Sequence, residues 1–231
     1  MGWILLVVAF GVAALIAYWQ LVIAEGAYLG PRVVSLLYDW TASRYDRLKG
    51  FDEAEETYFL GRPLAMALAS HDQPRVLDVA TGTGRLPQTL LHQPSFDGQV
   101  FGLDLSAKML HVARQHLTSH AGRAGLLLAY ATPLPFADQR FEVVTCLESL
   151  EFFSDAGAAL DEMVRVLQPG GWLLITNRVG WEARLLPGHT WSRAQLIEIL
   201  QDRPLTDISV RSWQTYYDLV WARKRHVIRD A

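Results

Sequence analysis

The stretch Arg75–Leu86 reads RVLDVATGTGRL. Val76–Ala80 is a short apolar run of strand character, and the apolar spacing of Leu86–Leu91 returns as a helix. Between them Asp78, Ala80, Gly82 and Gly84 fall at every second position. Glycines at such a turn let the backbone approach a ligand, and the helix that follows opens with unpaired N–H groups. A turn of this kind receives an anionic group, a phosphate or a carboxylate. About 20 residues on, after a second apolar run at Gln99–Leu103, stands Asp104. An acid at that place is positioned to accept hydrogen bonds from ribose hydroxyls.

A glycine turn with a distal acid also describes dinucleotide binding. That fingerprint needs a third glycine, three residues after Gly84, for close helix–strand packing. Pro87 stands there. No Gly-Lys-Ser/Thr follows, so a phosphate-binding loop of the nucleoside triphosphatases is excluded as well. Outward from the loop, strands and helices alternate. Further strands are expected at Leu126–Ala131, Phe141–Leu147 and Trp172–Thr176, and helices at Ala107–Leu117, Ala156–Leu167 and Arg193–Gln201. This alternation predicts an α/β fold around a parallel sheet with both faces covered. Ile208–Trp213 and Tyr216–Ala222 are joined by Gln214 and Thr215 alone, which requires an antiparallel pair. Pro169-Gly170-Gly171 has the composition of a turn.

In this loop and in FGLDLSAKML (101–110), PLPFADQRFEVV (133–144) and EMVRVLQPGGWLLITN (162–177), the chain resembles the class I S-adenosylmethionine-dependent methyltransferases, in particular the broad group that includes quinone C-methyltransferases. The resemblance runs from about Tyr38 to Lys224. It implies a Rossmann-like sheet of seven strands with an antiparallel last strand, and S-adenosyl-L-methionine as cofactor. It also implies roles. Asp78 orients the loop and the methionine end, and the loop residues Ala80, Thr81, Gly82, Thr83 and Gly84 line methionine and sugar. Asp104 holds the ribose, and Leu105, Ser106 and Met109 flank the adenine. Tyr130 stands where many members carry an acid toward the adenine amino group, so that contact passes to Ala131, with Thr132 beside it. Leu147 and Glu148 face the sulfonium.

The chain has 231 residues, a net charge of −3 and one cysteine, Cys146. The near-neutral balance gives no electrostatic footprint for nucleic acid, and a single cysteine excludes an intrachain disulfide. Residues Gly2–Ala24 contain no Asp, Glu, Lys, Arg or His, and about 20 apolar residues span a bilayer as a helix. A cleavable signal wants a cationic start and a shorter run, and a buried soluble helix of this length wants a polar face; neither is present. Arg32, Arg44, Arg47 and Lys49 follow the run. The positive-inside rule therefore places the rest of the chain in the cytoplasm. The expected organisation is a transmembrane anchor at 1–24, a linker and helical cap at 25–70, and the methyltransferase domain at 71–231. The cap is expected as helices at 32–49 and 53–69, the second interrupted at Pro63.

Methyl transfer from a sulfonium mainly asks the protein to align nucleophile, methyl carbon and sulfur. A general base is needed only where the nucleophile must lose a proton. The candidates are Glu148 and Glu151 beyond the fourth strand, Tyr45 with Asp46 in the cap, and His189 in the Trp-rich segment Val179–Trp191. No histidine or cysteine spacing suits a metal. The expected function is methylation of a small, lipophilic or membrane-associated acceptor, such as a quinone precursor or a lipid. The alternatives are a membrane-tethered partner that binds the cofactor without catalysis and a nucleotide-dependent oxidoreductase, against which Pro87 argues.

Overall fold

The structure, a computed structural model, describes residues 2–226; Met1 and the last five residues of the expected domain lie outside the described residues. Seven strands form one sheet: β1 (Arg75–Val79), β2 (Gln99–Asp104), β3 (Ala124–Leu128), β4 (Phe141–Cys146), β5 (Leu167–Arg178), β6 (Leu205–Trp213) and β7 (Tyr217–Lys224). Their spatial order is β3-β2-β1-β4-β5-β7-β6. β1 to β5 run parallel, and β7 lies antiparallel between β5 and β6.

Alternation along the strands supplies two cores. Val76, Val100, Val143 and Leu174 point to one face, under α5 (Arg62–Leu68) and α6 (Arg85–Leu91). Leu77, Leu103, Val144, Leu173 and Ile175 point to the other, where α8 (Ala156–Val166) and, beyond the short α9 (Gly180–Ala183), α10 (Arg193–Gln201) contribute Leu160, Met163, Leu196 and Leu200. α7 (Ala107–His116) covers β2 and β3.

Several boundaries differ from expectation. The third strand starts two residues earlier than expected and ends at Leu128. The fifth begins at Leu167, directly after α8, and takes Pro169-Gly170-Gly171 into its length. Those residues bulge: Phe141 pairs with Leu167 and Val143 with Trp172. Gly170 turns left-handed there (φ 80°), so the turn chemistry is local to a strand. The β6–β7 connection has three residues rather than two, with Trp213 facing Tyr217 and Gln214 at φ 55°.

Before the sheet, α1 (Gly2–Tyr18) continues through a π-helical stretch at Trp19–Ile23. Within this 22-residue span a window of 18 residues has a mean hydropathy of 2.3 and no buried residue, unlike a core helix; only the end of the span, at Trp19, meets the domain. The helix expected at 32–49 is divided into α2 (Pro31–Thr41) and α3 (Tyr45–Lys49) by a 3-10 turn at Ala42–Arg44, and Gly50 caps it left-handed as expected. The helix expected at 53–69 begins as α4 (Glu53–Glu56), passes through a π turn at Thr57–Gly61 and resumes in α5, with Pro63 in its first turn.

At the sheet centre Asp78 is 3% exposed. Its carboxylate accepts from the Thr145 hydroxyl (2.6 Å) and the Thr81 hydroxyl (2.7 Å). Burial outweighs both bonds and raises its pKa from 3.8 to about 6. The stability held by the protonated carboxyl is present below the unfolded value and is lost as pH rises through about 6. Asp78→Asn keeps the shape without the charge. Its stability relative to the parent should therefore grow between pH 4 and pH 7, by up to about 3 kcal/mol, read from denaturant midpoints at the two pH values. Parallel pH profiles of parent and variant would contradict this account of Asp78.

Candidate active site

Strand order reverses between β1 and β4. In open α/β sheets ligands bind outside the carboxyl ends of the strands at such a reversal, and the glycine loop begins there. Ala80 (φ 58°), Gly82 (φ 56°) and Gly84 (φ 79°) take left-handed backbone at alternate positions. Nothing lies within 4 Å of where a Cβ on Gly82 would stand, whereas one on Gly84 would press Ala113 at 3.1 Å. Gly82 thus keeps a ligand-facing wall thin, while Gly84 brings α6 against α7.

Asp104 locks this loop. One carboxylate oxygen accepts from the Gly82 N–H and the other from the Ser106 N–H, both at 2.8 Å. Its pKa is raised, burial outweighing those two bonds. The Ser106 hydroxyl in turn accepts from the Met109 N–H (3.0 Å) and donates to Asp39 of α2 (2.5 Å).

A cavity of about 330 Å³ opens beside the loop. Of the residues expected at a cofactor, Ala80, Gly82, Asp104, Leu105, Ser106, Ala131, Thr132 and Leu147 line it, and so do Tyr45 and Glu148. Asp78, Thr81 and Thr83 line an adjoining space of about 40 Å³, which also touches Tyr45 and Glu148. Gly84 and Met109 line neither; they shape the loop and α7 from behind. Glu151 and His189 line neither as well. The Glu151 carboxylate is turned into the fold, where it accepts from the Tyr217 hydroxyl (2.5 Å) and lies 3.6 Å from Arg178. Burial raises its pKa. His189 bonds the Glu151 carbonyl (2.8 Å) and meets the Tyr28 ring edge-on at 4.5 Å. Both positions therefore brace the segment after β5 and do not face the cavity.

Glu148 sits in a left-handed conformation (φ 51°) and is ion-paired twice, to Arg85 at 2.8 Å and Lys49 at 3.1 Å. Burial pushes its pKa up, but Arg85 and Lys49 outweigh it and the net shift is downward. A carboxylate so held is a weak proton acceptor. Tyr45, with its pKa pushed up to about 12 by burial, is a hydrogen-bond donor at neutral pH. Arg85 also lies 3.4 Å from Glu56 and 4.1 Å from the centre of the Phe51 ring.

Sequence reasoning expected the helix at 32–49 as a cap over the cofactor but named none of the α2 residues that form one wall of this cavity. Pro31, Val34, Ser35 and Tyr38 of α2 line it. Ser35 donates to the Leu105 carbonyl (3.0 Å) and Tyr38 to Glu25 (2.8 Å). The helical spacing of 32–49 marks an inward face but says nothing of the cavity beneath it. The cavity suits a ligand with a ribose, a flat base and an amino-acid end. It offers a half-buried carboxylate at the loop, an apolar wall of Leu105 and Ala131, and open space over Gly82. No cluster of His, Cys, Asp and Glu suited to a metal occurs among the described residues.

Residues 77–175 match a family model described as a methyltransferase domain. A ubiquinone/menaquinone biosynthesis C-methyltransferase of Bordetella parapertussis is 31% identical over 165 residues, 69% of this chain and 62% of the relative. A demethylmenaquinone methyltransferase of Chlorobaculum parvum is 34% identical over 148 residues, 57% and 59%. The chain thus spans about three fifths of the length of the curated relatives it matches. Among solved structures, the [4+2]-cyclase SpnF superposes with a TM-score of 0.68 at 19% identity, over 85% of this chain and 98% of that one. A Haemonchus contortus phosphoethanolamine N-methyltransferase in complex with S-adenosylhomocysteine superposes with 0.57 at 18% identity, over 71% and 52%. At such identities these likenesses concern the fold. The oxidoreductase reading falls with the methyltransferase match across the glycine loop and Asp104. The chain belongs to the class I S-adenosylmethionine-dependent methyltransferases.

Proposed function

We propose that this protein transfers the methyl group of S-adenosylmethionine to a small lipophilic acceptor taken from a membrane, a quinone precursor or a lipid. One observation carries the reading. The unburied apolar span ending at Ile23 is followed, after residues 24–30, by α2, whose Pro31, Val34, Ser35 and Tyr38 wall the cavity. An inserted span would hold the cavity at the bilayer. The quinone-biosynthesis names of the Bordetella and Chlorobaculum relatives agree with such an acceptor. Residues 1–24 then serve as anchor, 25–70 as linker and cap, and 71–231 as the catalytic domain. The cations at Arg32, Arg44, Arg47 and Lys49 favour the cytoplasmic side for that domain.

The cofactor supplies an electrophilic methyl group on a sulfonium, and this chain's residues hold and align it. Asp104 takes the ribose hydroxyls with the lone pairs left over from Gly82 and Ser106. Leu105, Ala131 and Thr132 enclose the base. Asp78, Thr81, Thr83 and Leu147 surround the methionine end, with Ala80 and Gly82 keeping the loop thin. Tyr45 donates a hydrogen bond to the acceptor. Glu148 neutralises Arg85 and Lys49 beside it and orders the cap. Gly84 and Met109 position the loop, and Glu151 and His189 brace the segment after β5.

In detergent micelles, Asp104→Ala should weaken binding of S-adenosylhomocysteine about 5- to 150-fold, the loss of roughly 1–3 kcal/mol expected for a buried charged partner; unchanged affinity would remove Asp104 from the site. With methyl-labelled cofactor, label should pass into the organic-soluble fraction of membrane extracts. Label confined to water-soluble products would reject the lipophilic acceptor, and tight cofactor binding without turnover on either fraction would favour the non-catalytic partner.

A further inference from the structure

The outer face of α2 is unexplained by the cavity its inner face lines. Leu36 and Trp40 are 66% and 71% exposed. They stand four residues apart, with exposed Arg32 four residues before Leu36; such spacing puts these three side chains on one face of α2, and exposed Arg44 follows in the 3-10 turn after it. Leu29 just before α2, and Arg47 and Leu48 in α3 after it, are exposed as well, the two leucines at 47% and 71%. None of the three arginines is in an ion pair among the described residues. The row cannot roll inward. Ser35 holds the Leu105 carbonyl, and Asp39 accepts from the Ser106 hydroxyl and from the Lys108 N–H (3.1 Å).

Two further contacts fix where this face sits. The indole N–H of Trp19, near the end of the apolar span, donates to the Leu185 carbonyl (3.0 Å), and Tyr28 donates to the Pro187 carbonyl (2.8 Å). The link between the span and α2 is itself turned back on itself, with Ala27 N–H on the Ala24 carbonyl and Leu29 N–H on the Gly26 carbonyl (both 2.8 Å). The span therefore leaves the domain from a fixed point a few residues from α2. Large apolar side chains interleaved with free arginines are the composition of a helix lying in a bilayer interface, and the cations select anionic headgroups. A tryptophan such as Trp40 favours that depth.

We infer that the outer face of α2 docks on an anionic bilayer surface, with Leu36 and Trp40 in the headgroup–acyl boundary and Arg32, Arg44 and Arg47 on lipid phosphates. This deepens the membrane-acceptor reading above and rests on it. It fixes the domain's attitude: the wall of the cavity is itself the membrane-contacting helix.

The test uses the full chain in vesicles carrying an environment-sensitive dye on one introduced cysteine. Cys146 is fully buried and its thiol pKa is pushed far up by that burial, so the native thiol stays unlabelled. Leu36→Cys, and Ser43→Cys in the exposed turn between Trp40 and Arg44, report the docking face, Phe10→Cys the apolar span, and Glu198→Cys on α10 an exposed control. With about one third phosphatidylglycerol in phosphatidylcholine, headgroup-attached quenchers should dim positions 36 and 43 at least roughly twofold more than position 198, and less in pure phosphatidylcholine. Equal quenching at 36, 43 and 198 overturns the inference, whatever position 10 shows. Quenching at 36 and 43 without quenching of position 10 by acyl-chain quenchers keeps the docking face and rejects the spanning anchor.

Discussion

The hydrogen bonds from the Gly82 and Ser106 amides to Asp104 hold the site together. A loop with left-handed backbone at Ala80, Gly82 and Gly84 resists ordinary strand and helix pairing, so its amides need other acceptors. Asp104 at the end of β2 provides one. Asp78 in β1 holds the Thr81 and Thr145 hydroxyls, and the Thr81 N–H bonds the Leu103 carbonyl. Three neighbouring strands are thereby tied to one turn at the reversal of strand order. The same carboxylate that shapes the turn lies in the cavity wall, so building the loop and presenting an acceptor to the cavity are one event.

Around the opposite end of the cavity, charge is used to order the cap. Glu148 is nearly buried with Arg85 and Lys49 upon it, and Arg85 also reaches Glu56. Removing one member of such a cluster strands a buried charge, which costs far more than an exposed pair would return. Lys49 closes α3 and Glu56 closes α4, so the cluster joins the N-terminal helices to the end of β4. Thr83 adds a second tie, donating to Asp46 at 2.6 Å.

Much of this was legible in the primary structure because the decisive features are local. Alternation in VLDV assigns Val76 and Leu77 to opposite cores, and Pro87 removes one nucleotide class by its place in the first turns of α6. Asp104 is found by its distance from the glycines. The failures come where chain direction, and not composition, decides. Glu151 and His189 stand in the right segments, but the short 3-10 turn at Leu150–Phe152 turns Glu151 toward Tyr217 and Arg178. The bulge at Pro169-Gly170-Gly171 is stabilised by pairing with β4, a long-range contact that turn composition conceals. The helix at 32–49 was expected as a cap, but its lining residues were hidden for a different reason: Pro31, Val34, Ser35 and Tyr38 carry no distinctive chemistry and acquire a function only by closing over the loop.

The central claim is that the Asp104-locked loop at the β1–β4 reversal is a site for S-adenosylmethionine and not for a dinucleotide. Isothermal titration of the full chain in detergent micelles with S-adenosylhomocysteine and, separately, with NADH addresses it most directly. The account predicts one saturable site for S-adenosylhomocysteine and no detectable heat of binding with NADH. Saturable NADH binding without S-adenosylhomocysteine binding would contradict it.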